Sequence, residues 1–181
     1  ERIQSKYDLD RPIYEQYFEW VINAFKGELG TSYKYNKPVF YMLKLRVPNT
    51  IRLGLAAVAL SVVISIPFGI ASALHHNRFL DHVGRIFTLL ISSFPSFWVA
   101  IVLIIVCALK LKLLPVGGMQ GPQSIILPAV TLSMGMTAAT TRMMRSSMLD
   151  VMSQDYIWAA RAKGMKWNKI ITRHMLKNAL P

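Results

Sequence analysis

Few residues in this 181-residue sequence have the types and spacing that covalent chemistry requires. Cys107 is the one cysteine, so an internal disulfide and a cysteine-rich zinc site are both excluded. No pair of carboxylates and no serine–histidine–aspartate set occurs at a spacing that indicates catalysis. Gly117, Gly118 and Gly121 lack the lysine of a Gly-x-x-x-x-Gly-Lys-(Ser/Thr) phosphate loop. The sequence therefore predicts a protein that is not an enzyme and binds no cofactor itself.

Three histidines, His75, His76 and His82, lie close enough in sequence to suggest a metal site. Adjacent side chains on a helix point in different directions, so His75 and His76 would not easily face one metal ion. Solvated loop histidines are the favoured interpretation, and we predict that this chain holds no metal.

The stretch from Asp155 to Pro181, called the C-terminal segment below, has a pattern that suits binding to another surface. It predicts a short helix of small residues, a stop at Gly164, and a second amphipathic helix. Small side chains let a helix backbone approach a partner closely. The second helix has one apolar face, formed by Ile170, Ile171, His174, Met175 and Ala179. A solvated loop between two membrane spans is the alternative.

Three stretches without formal charge precede the C-terminal segment in the sequence. Residues 53–74 and 86–109 contain 22 and 24 residues without formal charge, and a bilayer core of about 30 Å needs about 20 helical residues. The third span, 125–144, reaches Arg142, whose long side chain could extend to the membrane surface. Buried helices of a large soluble protein are the alternative, but little chain remains to cover them. The prediction is an all-α polytopic membrane helix bundle with three spans.

Each predicted span contains a proline, namely Pro67, Pro95 or Pro128. Kinked helices with hydroxyl groups at mid-depth suit a protein that opens a path, because serine, threonine and water can satisfy the freed carbonyls. Simple packing through small residues is the alternative. The candidate residues for lining a path are Ser92, Ser93, Pro95, Phe97, Trp98, Thr131 and Ser133. No formal charge lies within the three charge-free stretches, so none of these residues is marked as a substrate site by charge.

Three regions follow from this pattern: 1–50, a membrane core over 51–149, and 150–181. In the first region, Asp10 and Pro12 predict a helix start and Gly27 predicts its end. A second short helix is predicted from Pro38 to Arg46, followed by a break at residues 48–50. We also expect the chain to continue with further spans on both sides.

The C-terminal segment resembles the cytoplasmic coupling loop of ABC importer permeases. Ala159-Ala160, Gly164 and Leu180-Pro181 match the Glu-Ala-Ala, Gly and Leu-Pro pattern of that loop, with Trp158 at the glutamate position. The gap from Gly164 to Pro181 is longer than in the sugar-importer version. The peptide/nickel branch of the family is resembled through Tyr156-Ile157, Ala160-Arg161-Ala162-Lys163-Gly164, Arg173-His174 and Asn178-Ala179-Leu180.

Further matches run in order along nearly the whole chain. They include Asp10-Arg11-Pro12-Ile13-Tyr14, Pro67-Phe68-Gly69-Ile70, Ser93-Phe94-Pro95-Ser96-Phe97-Trp98, Leu114-Pro115 and Arg145-Ser146-Ser147-Met148-Leu149. The sequence thus resembles the B-type permease subunit of a dipeptide, oligopeptide or nickel importer. The resemblance implies the type I ABC importer permease fold. It places residues 1–50 and 110–124 outside and 75–85 and 150–178 inside, an orientation that the counts of basic residues leave open.

The resemblance also implies partners and roles. A permease of this kind works in the inner membrane of a prokaryote with a second permease subunit, two ATPase subunits that use ATP and Mg, and an extracytoplasmic substrate-binding protein. Coupling to the ATPases would involve Tyr156, Ala159, Ala160, Arg161, Gly164 and Ile170.

Several alternatives stay open at this point. One is a permease for nickel or another small solute. Others are a secondary transporter, which should carry intramembrane charges, and a membrane-anchored scaffold or nucleic-acid binder. Half of the net charge of +12 lies in residues 142–181, directly after a predicted span. Contact with anionic lipid or a cytosolic partner is therefore favoured over contact with nucleic acid.

Overall fold

Helices form almost all of the regular structure in residues 11–180, the part of the chain that the computed structural model describes. The chain divides into two compact units, residues 1–52 and 53–181. Within the described residues, Val39–Leu74 and Pro122–Met152 are long and apolar enough to cross a membrane. The pair Phe79–Ser93 and Ser96–Lys110 adds a third crossing if the two helices form one bent span. The predicted all-α membrane fold is confirmed.

The first unit begins with helix α1, Ile13–Phe25, as its apolar spacing predicts. Pro12 is the residue before the helix, and Gly27 ends the turn after it with a φ of +87°. The proposed cap Asp10 lies outside the described residues. After α1, Val39 N donates to Gly30 O at 2.9 Å, so the chain folds back on itself over residues 30–39.

Helix α2, Val39–Leu74, runs without interruption for 36 residues, and the predicted break at residues 48–50 is wrong. Pro48 removes one backbone donor, but a single missing hydrogen bond does not end this helix. The Thr50 hydroxyl donates to Arg46 O at 3.3 Å, which adds a bond at this point. Pro67 also lies inside α2.

The second predicted span, 86–109, is two helices instead of one. Helix α3, Phe79–Ser93, and helix α4, Ser96–Leu103, meet at a bend of 95°. Pro95 disfavours the helical conformation for the residue before it, and here Phe94 is extended with φ −90° and ψ 132°. A π-helical turn, Ile104–Lys110, continues α4.

Helix α5, Ile126–Met152, follows a short 3₁₀ turn, Pro122–Ile125. Pro128 lies in the first turn of α5, where a missing amide proton costs nothing. Pro128 therefore does not interrupt α5. α5 also continues past the predicted limit of residue 144. Both α3 and α4 contact α5.

The C-terminal segment contains the remaining helical elements: α6 (Asp155–Ala162), α7 (Trp167–Ile170), a π-helical turn (Ile171–Met175) and α8 (Leu176–Ala179). They follow one another as predicted, with α7 to α8 forming a single helical run, 167–179. An apolar core joins this segment to the C-terminal half of α5. Its fully or nearly buried members are Ala73, Met144, Met148, Val151, Ile157, Ala160, Ile170, Met175 and Ala179.

Candidate functional site

The C-terminal segment turns sharply between its two helical parts. Gly164 has a φ of +74°, a backbone conformation that favours glycine. Its amide donates to Arg161 O at 2.9 Å, and the Met165 amide donates to Ala160 O at 3.3 Å. These bonds satisfy the last carbonyls of α6. A Cβ at Gly164 would meet open space, so the backbone conformation alone is what requires glycine here.

The inward side of the segment is apolar. Ile157 and Ala160 project from α6, and Ile170 and Met175 project from the run 167–179. Ile170 is fully buried and Ala160 is 7% exposed. These two predicted coupling residues therefore form the interior of the segment, and a partner that docks on the outer surface would not touch their side chains directly.

The outward side carries the other four predicted coupling residues, Tyr156, Ala159, Arg161 and Gly164, all of which are exposed. The Arg161 guanidinium lies 5.3 Å from the ring centroid of Trp158 and 5.0 Å from that of Trp167. Such distances are typical of cation–π contacts. Trp158 is on α6 and Trp167 begins the next helix. The Arg161 side chain therefore contacts aromatic rings on both sides of the turn at Gly164 and links the two helices.

A second polar contact holds the same two parts together. Asn178 Nδ2 donates to the Tyr156 hydroxyl at 3.1 Å and to His174 O at 3.0 Å. The segment thus presents exposed aromatic and cationic groups on a surface whose shape is set from within. Exposed aromatic and cationic groups of this kind suit binding to another surface.

The candidate path residues before and after the helix break are exposed. Ser92, Ser93 and Pro95 lie at the end of α3 and in the break, and Phe97 and Trp98 begin α4 with 68% and 46% exposure. Phe94 stacks on Trp98 at a centroid distance of 4.8 Å. The aromatic side chains therefore brace the corner.

The candidate hydroxyls are largely bonded within their own helices. Ser92 and Ser93 donate to Thr88 O and Leu89 O at 2.8 Å each. Thr131 and Ser133 donate to Leu127 O and Val130 O at 2.9 Å each, and Ser133 is buried. Their oxygens keep the capacity to accept a hydrogen bond. Ser92 uses it, because Arg142 Nη1 donates to its Oγ at 3.1 Å.

One polar cluster was not recognised from the sequence. Asp81, in the first turn of α3, is fully buried and accepts two hydrogen bonds from Arg145 of α5. Nε reaches Oδ1 at 2.6 Å and Nη2 reaches Oδ2 at 2.8 Å. We call this the Asp81–Arg145 pair. Asp81 was assigned no role from the sequence. A signal was present, since Asp81 is the one acidic residue between Glu28 and Asp150.

The three histidines lie near this pair but are held separately. His75 Nδ1 lies 2.9 Å from Ala71 O, while His76 Nδ1 accepts from Arg145 at 3.1 Å and His82 Nδ1 accepts from Arg85 at 2.8 Å. In the described part of the chain no three histidine, cysteine or acidic side chains are grouped closely enough to hold a metal ion. That this chain binds no metal stays a prediction.

Comparison with known proteins supplies the context for these features. Residues 65–181 match the family described as binding-protein-dependent transport system inner membrane component. The oligopeptide transport system permease protein AppB of Bacillus subtilis is 40% identical over 192 residues, which cover 99% of this chain and 60% of the relative. The dipeptide transport system permease protein DppB of Lactococcus lactis is 36% identical over 99% of this chain and 60% of its own length.

A third relative has a different cargo in its name. The metal-staphylopine import system permease protein CntB of Staphylococcus aureus is 33% identical over 97% of this chain and 56% of its own length. The chain thus spans about 60% of the length of the first two curated relatives.

Proposed function

Because the chain belongs to the family of binding-protein-dependent transport system inner membrane components, we propose that it acts as a B-type permease subunit of an ABC importer for peptides. The names of the oligopeptide and dipeptide permeases that it resembles support this substrate class. In this proposal a second permease subunit forms the other half of the translocation path. Two ATPase subunits supply energy from ATP and Mg, and an extracytoplasmic binding protein delivers the peptide.

The observation that carries the proposal is the construction of the C-terminal segment. Its interior is filled by its own side chains and those of α5, while Trp158, Arg161 and Trp167 stand on the outside. Residues 142–181 contain eight basic and two acidic residues, which favours an acidic surface on the partner. A preformed surface loses little conformational entropy on binding, so it suits docking to an ATPase subunit.

Transmission in this proposal uses rigid bodies. The C-terminal segment and α5 share one core, so a displacement of the segment by closing ATPases would move α5 with it. α5 contacts α3 and α4, which flank the bend at Pro95. Alternating access would then follow from movement of these helices, with Ser92, Ser93, Phe97, Trp98, Thr131 and Ser133 as candidate contacts along the path.

ATP hydrolysis is assigned to the partner subunits. The sequence carries no phosphate loop of the Gly-x-x-x-x-Gly-Lys-(Ser/Thr) kind. In this proposal the chain is a non-hydrolytic subunit.

Import of a metal complex is the second candidate function. The name of the staphylococcal relative favours it. Uptake of a labelled dipeptide, a labelled oligopeptide and a metal–metallophore complex by the purified complex in proteoliposomes separates these cargoes. Uptake of the metal complex without uptake of either peptide would replace the first proposal by the second.

The docking proposal is tested with Ala159→Trp in the full-length permease co-expressed with its partners. Ala159 is exposed on α6, so a large side chain there should block close approach of a partner without filling the core. We expect the variant to insert normally and to lose most of the ATPase subunits on co-purification. The matched control is Thr172→Trp, an exposed position on the run 167–179, which should retain them. Full retention of the ATPases and of peptide-stimulated hydrolysis by Ala159→Trp would refute the docking role.

A further inference from the structure

The start of α3 is fixed to α5 by the Asp81–Arg145 pair. Both carboxylate oxygens of Asp81 accept from one guanidinium, at 2.6 and 2.8 Å. Two parallel charge-assisted bonds hold direction as well as distance, because tilting either group breaks one of them. The pair therefore fixes how α3 is oriented relative to α5.

Asp81 is also held from its other sides. The Ser72 hydroxyl at the end of α2 donates to Oδ1 at 2.7 Å, and the backbone amide of Asn77 donates to Oδ2 at 3.0 Å. Arg85, one turn along α3, lies 4.0 Å from Oδ2. With no exposed surface left, this carboxylate relies on protein donors alone. The end of α2 and the loop 75–78 are thereby joined to the same point.

Arg145 occupies the turn of α5 that also holds the C-terminal segment. Met144 and Met148, on either side of it, are fully buried in the core with Ile157, Ile170 and Met175. Within one turn, α5 thus contacts the C-terminal segment through apolar side chains and the start of α3 through an ion pair.

α3 leads from this pair directly to the helix break. It runs from Phe79 to Ser93, and the 95° bend at Phe94–Pro95 follows. Near that end Arg142 of α5 donates to Ser92. A movement of α5 is therefore delivered to α3 at both ends, with the charged pair as the directional contact.

We propose that Asp81 and Arg145 are positioning residues that transmit displacement of the C-terminal segment to α3 and to the break at Pro95. The inference rests on the proposed function, because it needs a permease driven through that segment. Apolar contacts between helices have no directional preference, whereas a buried bidentate pair fixes direction as well as distance. Loss of the pair should leave the complex assembled, but displacement of the C-terminal segment should then no longer move α3.

The experiment uses the full-length permease in its complete complex, reconstituted in proteoliposomes with the binding protein. The variants are Asp81→Asn and the double variant Asp81→Asn/Arg145→Gln, which leaves no unpaired charge. Peptide transported per ATP hydrolysed is measured for complexes with equal content of all subunits. We expect this ratio to fall about tenfold in both variants, while basal ATP hydrolysis is retained.

Two controls remove charge close to the pair without touching it. Asp150 is exposed on α5, and Arg78 is exposed in the loop before α3, so the control variants are Asp150→Asn and Arg78→Gln. Both should keep the transport-to-hydrolysis ratio of the original complex. A purely structural role of the pair would reduce the amount of complex and leave that ratio unchanged.

The outcomes separate this inference from the proposed function. If the unaltered complex neither transports peptide nor shows peptide-stimulated hydrolysis, the proposed function fails first, and the inference with it. If it does both, an unchanged ratio in the double variant overturns the inference alone. Failure of both variants to assemble overturns it as well, because the pair would then be needed for the folded state instead of for transmission.

Discussion

The C-terminal segment and the start of α3 are both attached to α5, but by opposite kinds of interaction. The segment contributes Ile157, Ile170 and Met175 to an apolar core, where each side chain makes many weak contacts. The start of α3 contributes one buried carboxylate, Asp81, which is paired with one guanidinium. The two attachments lie within one turn of α5, yet they should respond differently to substitution.

Their difference is one of tolerance. Removing part of an apolar side chain weakens a core in proportion to the volume lost, and the remaining contacts persist. Removing one partner of a buried ion pair leaves the other charge without compensation. α5 thus carries two attachments, called joints below: the apolar core, which tolerates substitution, and the Asp81–Arg145 pair, which does not. Single and double substitutions should change the free energy of unfolding differently at the two joints.

The largest effect on stability is expected from Arg145→Met. Asp81 is fully buried, so it would keep its charge without its main partner, and we expect a loss of about 3–5 kcal/mol in the free energy of unfolding. Arg85, whose side chain is about half exposed and whose Nε lies 4.0 Å from Oδ2 of Asp81, offers weaker compensation. The loss is measured on the full-length permease, purified in a mild detergent, by following its unfolding during titration with a denaturing detergent.

The rescue is the decisive part of this test. Adding Asp81→Asn to Arg145→Met removes the unpaired charge, so the double variant should be more stable than Arg145→Met alone. Arg85→Met serves as the control and should cost less than about 1 kcal/mol, because its contact is long and exposed. A double variant that is less stable than Arg145→Met would mean that the pair is held mainly by packing.

Local patterns in the sequence predicted the C-terminal segment well. The small residues before Gly164 and the apolar spacing after it correspond to α6 and to the run 167–179. Helical periodicity also found α1 with its limits. In both places the determining interactions lie within a few turns of chain, so spacing alone carries the information.

Other features depended on interactions that spacing does not carry. Pro48 was expected to end a helix and did not, while Pro95 turned the chain by 95°. Pro95 has an extended residue before it, Phe94, whose ring stacks on Trp98 beyond the corner. Asp81 and Arg145 are 64 residues apart in sequence. Their pairing follows from the packing of α3 on α5, which no local pattern reveals.

An intermediate effect is expected from Ile170→Ala in the apolar joint. Ile170 has no exposed surface, so the truncation should leave a cavity and cost about 2–4 kcal/mol. Ile170→Val, the control, should cost about 0.5–1.5 kcal/mol. The same detergent titration measures both. Adding Met175→Ala to Ile170→Ala should deepen the loss, in contrast to the rescue at the ion pair, and a rescue here would break the comparison.

The smallest effect of the three is expected from Gly69→Ala, where α2 approaches α5 beside both joints. A Cβ at Gly69 would lie 2.7 Å from Met144 Cβ and 3.0 Å from Thr141 O. Neither of these atoms can rotate away, so the two helices must separate slightly, and we expect a loss of about 1–3 kcal/mol.

Gly54→Ala is the matched control, because it lies on the same helix and a Cβ there meets nothing within 4 Å. It should be neutral or stabilise by up to about 1 kcal/mol through helix propensity. Separation at Gly69 would also strain the Ser72–Asp81 contact one turn away. Gly69→Ala should therefore lose less stability when Asp81→Asn is already present than when it is made alone. Strictly additive losses would show that close packing at Gly69 and the ion pair act independently, which would separate the two joints that α5 is inferred to connect.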